Sequence, residues 1–238
     1  ALSYLLNSAP GSYISYADSD VYFLPGWLEE SLISLKTFPE AAKITALPIA
    51  GGDTTKISKI FFEEANQNAN IEVETGKIIH DKYINAHALS IGKSLDQFNI
   101  DNPDRKDIKL TRNGKSVFLS SADFQFTIRK SSLKNILPLG ISDEKDYYDP
   151  IYSPVLENKL IKNNWWLIST DKYLVHHLGN NYPNLKNELP WIEKGLLSNN
   201  RLYSKKTFEN KKSRLAQSTR IRRVLKKVNT WTYKKLYD

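Results

Sequence analysis

Two aspartates one residue apart, Asp18 and Asp20, are the pair whose type and spacing point most directly to chemistry. They follow residues 13–17, a short apolar run with the pattern of a β-strand, and no Lys or Arg stands beside them. In an open α/β sheet, ligands lie just beyond the carboxyl ends of the strands. Two uncompensated carboxylates at such a place favour a hard divalent cation that carries phosphate oxygens. The alternative is that both acids only end the strand in a solvated turn.

The residues around this pair extend the pattern. After a Pro25-Gly26 break and Trp27, apolar residues recur four and three positions apart, which predicts a helix with one buried face: Leu28, Leu32 and Leu35. The succession of strand, Asp-x-Asp, Pro, aromatic residue and amphipathic helix resembles the middle of a GT-A-fold glycosyltransferase, and it is most similar to glycosyltransferase family 2. Residues 1–12 resemble the helix and turn that precede the Asp-x-Asp strand in that family.

The resemblance implies a metal-dependent, inverting glycosyltransferase of the hexosyltransferase type. Such an enzyme moves a sugar from a nucleotide-diphosphate donor to a hydroxyl group, here of a surface glycan or a lipid-linked acceptor in polysaccharide biosynthesis. The implied cofactor is Mn²⁺ or Mg²⁺, since carboxylates do not select between the two. The competing hypothesis is a non-catalytic α/β binding or scaffold module with a basic arm that contacts a membrane or a partner.

The metal site that the resemblance implies has three points. Asp20 is expected to coordinate the cation directly, while Asp18 reaches the ribose or a metal-bound water. The third ligand is a histidine at the end of a strand-like run, and both His176 and His177 match the family pattern, with His176 preferred. The alternative for either histidine is an ordinary hydrogen-bonded side chain at a strand end.

The general base is expected in residues 141–154, an acidic and aromatic loop. The family has an acidic pair before an Arg-Leu, Gly-aromatic run, and Lys159-Leu160 and Asn164-Trp165 stand where that run would be. Asp149 is the first choice for the base and Asp146 the second. Acids before a helix are also favoured by the helix dipole without any catalysis.

Asp123 follows the strand of a predicted hairpin. In similar enzymes the equivalent segment lines the acceptor pocket, so the resemblance implies that Asp123 binds a sugar hydroxyl. Trp165 and Trp166 are predicted to pack in the core, with stacking on a sugar as the alternative.

Composition sets the outer limits. The chain has 238 residues, of which 40% are hydrophobic, so it can bury a sizeable core. It has no cysteine, which excludes disulfides and thiolate metal sites and is typical of the cytoplasm. No apolar run approaches the roughly 18 residues of a membrane span, and no signal peptide is recognised. The resemblance implies that the first βαβ units of the fold, which hold the nucleotide base, precede residue 1.

Charge divides the chain into two parts. Residues 201–238 carry 13 basic and 2 acidic side chains, a net charge of +11, which leaves residues 1–200 at −3. This tail has an apolar stripe at helical spacing, a pattern typical of a helix on the inner face of an anionic membrane. The alternatives are packing on the body or a homo-oligomer contact. Nucleic-acid binding is not expected, because the tail has no recognisable reading motif.

Strands that alternate with helices predict an α/β protein. With the resemblance, the expected fold is GT-A-like: a mostly parallel sheet flanked by helices, with a hairpin inserted at Asn113-Gly114 and a C-terminal helical tail. Residues 1–200 are the predicted catalytic domain and residues 201–238 the tail.

Overall fold

The structure, a computed structural model, describes residues 2–50, 55–139 and 154–179. All of them lie within the first of the two compact units into which the chain divides, Ala1–Pro190. The helices are α1 (Leu2–Ser8), α2 (Trp27–Thr37), α3 (Thr55–Gln67), α4 (Asp81–Ser90), α5 (Leu95–Asp101) and α6 (Pro154–Lys162), with a 3-10 helix at Lys130–Leu133. The strands are β1 (Tyr13–Ala17), β2 (Val21–Phe23), β3 (Ala41–Thr45), β4 (Glu72–Gly76), β5 (Asp107–Arg112), β6 (Lys115–Phe118), β7 (Gln125–Arg129), β8 (Trp166–Thr170) and β9 (Val175–His177).

Seven of these strands form one sheet in the order β1-β7-β3-β8-β6-β5-β4, and β2 pairs with β9 in a separate two-stranded sheet. The mixed α/β class is confirmed, but the expectation of a mostly parallel sheet is wrong. Only β3 and β8 pair in parallel, because β7 runs antiparallel between β1 and β3 and a meander of β4, β5 and β6 completes the other side.

Helices cover both faces of the large sheet. Leu35 of α2, Phe61 of α3 and Trp166 of β8 belong to one core cluster. Leu6 of α1 and Leu167 of β8 belong to a second cluster, together with buried residues of α6. Neighbouring residues of a strand point to opposite faces, so β8 supplies both layers. The core role predicted for Trp166 is confirmed, since its side chain is buried and its indole N–H donates to Glu64.

Local sequence signals account for most element boundaries. The predicted hairpin joins β5 and β6 through Asn113 (φ 52°) and Gly114 (φ 72°), the two left-handed residues that such a turn requires. The helices α4 and α5 are separated at Gly92 (φ 75°), a backbone conformation that favours glycine.

The helix after the paired aspartates forms as predicted and Leu35 is buried as expected, but the rest of its buried face differs from the prediction. Ser31, Ser34 and Leu35 face the core, whereas Leu28 is exposed. Among the helices of the described ranges, none combines the length and the apolar character needed to cross a bilayer.

Candidate functional site

The two aspartates lie where the sequence placed them, at the carboxyl end of β1. Asp18 follows the strand directly, and Asp20 precedes β2. β2 pairs antiparallel with β9, which sets Val21 opposite His177, and the Leu178 N–H donates to the Asp20 carbonyl at 2.8 Å. Through this pairing, β9 lies beside the Asp-x-Asp turn, although the two segments are far apart in the sequence.

Asp18, Asp20 and His177 form a compact cluster of potential ligands. His177 Nε2 lies 3.2 Å from Asp20 Oδ2, and one ligand atom from each of the three residues lies within 4.8 Å of the others. Bonds of about 2.0–2.2 Å to Mg²⁺ or a similar ion place its ligands roughly 3–4 Å apart. The donor set, two carboxylates and one imidazole, therefore fits a divalent cation by spacing and by chemistry.

A tyrosine holds the first aspartate in place. Tyr16 donates its hydroxyl to Asp18 Oδ1 at 2.8 Å, and its ring stacks on Phe126. Burial, followed by the hydrogen bond to Asp18 and the nearby negative charge, raises the pKa of Tyr16 to about 12. The Tyr16 hydroxyl therefore stays protonated and remains a donor to Asp18.

The structure places His177, and not the preferred His176, with the two aspartates. His176 is buried, its Nδ1 lies 2.6 Å from the Tyr173 hydroxyl, and burial, followed by the neighbouring His177, lowers its pKa to about 4. Successive residues of a strand point to opposite sides, so only one of two adjacent histidines can face the aspartates.

One wall of the cluster comes from the segment that leads into β7. Phe124 stacks on His177 with ring centroids 4.7 Å apart, and its carbonyl accepts the Asp18 N–H at 2.8 Å. Asp123 immediately precedes Phe124 and contributes to the raised pKa of Tyr16. The residue predicted to bind an acceptor hydroxyl thus lies beside the candidate metal ligands.

Next to this wall lies a charged group in the interior of the protein. Lys43 of β3 is fully buried, contacts Asp123 Oδ1 and donates to Glu157 Oε1 at 2.5 Å. Ser121 also donates to Glu157 Oε1, at 3.0 Å. Glu157 lies in the first turn of α6. We refer to Lys43, Asp123 and Glu157 as the buried ion cluster.

The pKa values of the cluster follow from burial and from these contacts. Burial acts to lower the pKa of Lys43, but the charges of Glu157 and Asp123 outweigh it and the pKa is raised. Burial, and then the charge of Glu157, raises the pKa of Asp123 against the opposing effect of Lys43. For Glu157, burial is outweighed by Lys43 and by hydrogen bonds from Lys43, Ser121 and Asp123, so its pKa is lowered.

Sequence reasoning missed two members of this cluster. Lys43 lies within β3, which begins at Ala41. The available signal was a lone Lys within an otherwise apolar segment. Glu157 is an acid in the first turn of α6, a position that the helix dipole alone explains, so no local signal singles it out. The predicted bases, Asp149 and Asp146, lie outside the described residues.

Comparison of the chain with protein-family models, with curated proteins and with solved structures finds no match in any of the three. The family resemblance therefore remains an interpretation of the Asp-x-Asp region. The candidate site therefore consists of two groups of side chains. One is the set of potential metal ligands, Asp18, Asp20 and His177, and the other is the buried ion cluster.

Proposed function

We propose that this protein is a metal-dependent, inverting glycosyltransferase that uses a nucleotide-diphosphate sugar as donor. The observation that carries the proposal is the cluster of Asp18, Asp20 and His177 beside a second pair of carboxylates, Asp123 and Glu157. The reaction needs a cation for the leaving diphosphate and a carboxylate for the attacking hydroxyl. Both kinds of group meet at one edge of the sheet.

Each ligand has a distinct part in this proposal. Asp20 and His177 would hold the cation, Mn²⁺ or Mg²⁺, and Asp18, oriented by Tyr16, would supply the second carboxylate of the site. When bound, the cation supplies Lewis-acid stabilisation of the negative charge on the departing diphosphate. Phe124 packs on His177 and restricts how its ring turns.

The acceptor side follows from the same chemistry. A single displacement at the anomeric carbon needs one base and inverts the configuration, and the sequence-based candidates for the base are Asp149 and Asp146. We assign the acceptor to surface glycans or lipid-linked sugars from the family resemblance and the basic tail. The predicted contact of residues 201–238 with an anionic membrane lies outside the described residues.

Calorimetry on the full-length protein tests the proposal. We expect UDP- or GDP-sugars to bind more tightly with Mn²⁺ than without it. Asp20→Asn and His177→Ala should each weaken Mn²⁺ binding by about 10-fold or more, because the first removes the charge of a ligand and the second removes a ligand. Asp104→Asn, at an exposed site, is the matched control and should bind as the unaltered protein does.

Two results separate the proposal from its rival. Mn²⁺ that fails to strengthen nucleotide binding, or an Asp20→Asn protein that binds Mn²⁺ unchanged, contradicts the transferase. Tight Mn²⁺ binding with no affinity for any nucleotide sugar would favour the non-catalytic binding module.

A further inference from the structure

A cavity of about 210 Å³ opens on the face of the large sheet where α4 packs. It is separate from the candidate metal ligands, since neither aspartate of the Asp-x-Asp turn nor His177 lines it. Its volume is below the roughly 300–1,000 Å³ of pockets that hold drug-sized ligands. The cavity therefore has room for one small ring and not for a whole nucleotide sugar.

The floor of the cavity is apolar. Ile79 and Phe118 line it and belong to the core cluster that α4 and α5 form with β6, and Ile78 packs against that cluster. Ligand pockets commonly combine such a floor with a few polar groups that fix the orientation of the ligand. The C–H groups of a sugar ring can pack on this floor while its hydroxyl groups reach the walls.

Two side chains on the walls donate hydrogen bonds. Lys109 is the cross-strand partner of Phe118, so both side chains stand on the same face of the sheet, and its ammonium group lies 3.2 Å from Glu74. His80 is exposed at the rim, and its Nδ1 accepts the Lys82 N–H at 3.1 Å. In the neutral ring the hydrogen therefore lies on Nε2, which is a donor.

Asp171 supplies an acceptor. It follows β8 and lines the cavity, and its Oδ1 lies 3.9 Å from Lys115 Nζ. This oxygen is shielded from solvent, yet the Asp171 side chain as a whole is 32% exposed. The exposed part is thus the remainder of the side chain, which includes Oδ2. A carboxylate oxygen at the wall of a cavity accepts hydrogen bonds from hydroxyl groups.

The charges on the walls are balanced. Lys109 is paired with Glu74, and Asp171 lies near Lys115, so neither a phosphate nor an ammonium group would find an uncompensated counter-charge in the cavity. A hydroxyl group both donates and accepts, and it can therefore bind to Asp171 as well as to Lys109 and His80. The lining favours an uncharged ring that carries several hydroxyl groups.

Helix α4 runs from this cavity to the segment that contains His177. Tyr83, in the first turn of α4, lines the cavity, and Ser90, its last residue, approaches Gly179. The 10 residues of α4 correspond to a length of about 15 Å. That length exceeds a single sugar ring, so a ligand that occupies the cavity and also reaches the metal ligands has to be a chain of sugars.

We propose that the cavity is an acceptor subsite, which binds one uncharged sugar residue of the glycan at a distance from the residue that receives the donor sugar. This inference rests on the proposed transferase function. It gives the acceptor a second point of attachment, apart from the contact predicted at Asp123.

Glycoside binding to the full-length protein tests the cavity without metal or donor. The probes are the methyl glycosides and short oligosaccharides of glucose, galactose, mannose and N-acetylglucosamine, and saturation-transfer NMR measures their Kd. We expect at least one probe to bind, and Asp171→Ala to weaken that binding about 10-fold or more, because hydrogen bonds to a charged acceptor are lost. Asp104→Ala, at an exposed position, is the matched control and should leave the Kd unchanged.

A second pair of variants blocks the cavity by volume. Ile78→Trp places a larger ring at the cavity wall and keeps the backbone N–H that donates to Asp107. Ile100→Trp introduces the same ring at a side chain that is 70% exposed. We expect Ile78→Trp to abolish glycoside binding and Ile100→Trp to preserve it. Mn²⁺ binding and nucleotide release into water should stay within about twofold in both proteins, because neither uses the cavity.

The outcomes separate the subsite from the transferase. If no probe binds, or if Asp171→Ala and Ile78→Trp bind it as their controls do, the subsite is overturned, and Mn²⁺-dependent nucleotide binding still decides the transferase. If Ile78→Trp loses nucleotide release into water, the separation of the cavity from the metal ligands is wrong. Glycoside binding by a protein that binds no nucleotide sugar with Mn²⁺ overturns the transferase and, with it, the acceptor role.

Discussion

At the scale of single residues, Lys43 departs from the rule that charges stay at the surface. Its ammonium group is fully buried and depends on Asp123 and Glu157 for compensation. This ammonium group also lies over the Phe126 ring, with Nζ 5.0 Å from the centroid. A buried ion pair adds little stability over a well-packed apolar core, but loss of one partner leaves the others unbalanced.

We therefore expect Lys43→Met to be strongly destabilising. The substitution keeps most of the length of the side chain but leaves two carboxylates without their cation, which should lower the free energy of unfolding by about 3–5 kcal/mol. Urea unfolding at neutral pH measures the change.

The controls for Lys43→Met separate charge from volume. Lys134→Met, at an exposed position, should change stability by less than about 0.5 kcal/mol. The triple variant Lys43→Met, Asp123→Asn, Glu157→Gln removes all three charges and should recover part of the loss. A Lys43→Met protein as stable as Lys134→Met would contradict this account of the cluster.

At the scale of elements, the strand β9 decides whether the metal ligands meet. It carries His177 to Asp20 through its pairing with β2, and it is followed by Gly179 (φ 62°). A Cβ at Gly179 would lie 1.8 Å from the carbonyl oxygen of Ser90, the last residue of α4. The close approach of α4 to this segment therefore requires glycine.

Gly179→Ala and Gly114→Ala form a matched pair that isolates this contact. Both glycines have positive φ, so alanine incurs the backbone strain of about 1 kcal/mol at either site, but a Cβ at Gly114 meets nothing within 4 Å. Gly179→Ala must also displace backbone, and we expect a further loss of about 1–3 kcal/mol.

The same pair has a functional readout. If His177 is a ligand, Gly179→Ala should weaken Mn²⁺ binding and Gly114→Ala should not. Chemical denaturation and Mn²⁺ titration of both proteins provide the data. Equal stability of the two variants would show that α4 yields to the added methyl group at no cost.

At the scale of the whole molecule, the interior holds histidines in their neutral form. Burial, followed by the charge of His177, lowers the pKa of His87 from 6.5 to about 4. Burial also lowers the pKa of His176. The unfolded chain therefore binds more protons than the folded one between about pH 6.5 and pH 4, and stability falls as the pH is lowered through that range.

We expect His87→Gln to reduce this acid sensitivity. The His87 shift corresponds to about 2–3 kcal/mol of stability that is present at pH 7 and lost by about pH 4. Urea unfolding at pH 7 and at pH 4.5 measures the difference, which should be smaller in His87→Gln than in the unaltered protein. His80→Asn, at an exposed position, keeps a side-chain acceptor at the N-cap of α4 and serves as the matched control. The same slope in all three proteins would contradict a buried neutral His87.

The sequence by itself determined the features that depend on neighbouring residues. The strand, the Asp-x-Asp turn, the helix after it and the Asn113-Gly114 hairpin follow from periodicity and from backbone conformations that few residues adopt. The mixed α/β class follows from the alternation of these elements.

The tertiary structure decided the features that depend on strand pairing. β7 runs antiparallel between β1 and β3, which sets Asp123 beside Asp18, and β9 selects His177 over His176.

Lys43 reaches partners that are 80 and 114 residues away along the chain. No local sequence pattern predicts such a contact. The Lys43 charge is buried and compensated by two carboxylates only once β3, the segment before β7 and α6 have packed together.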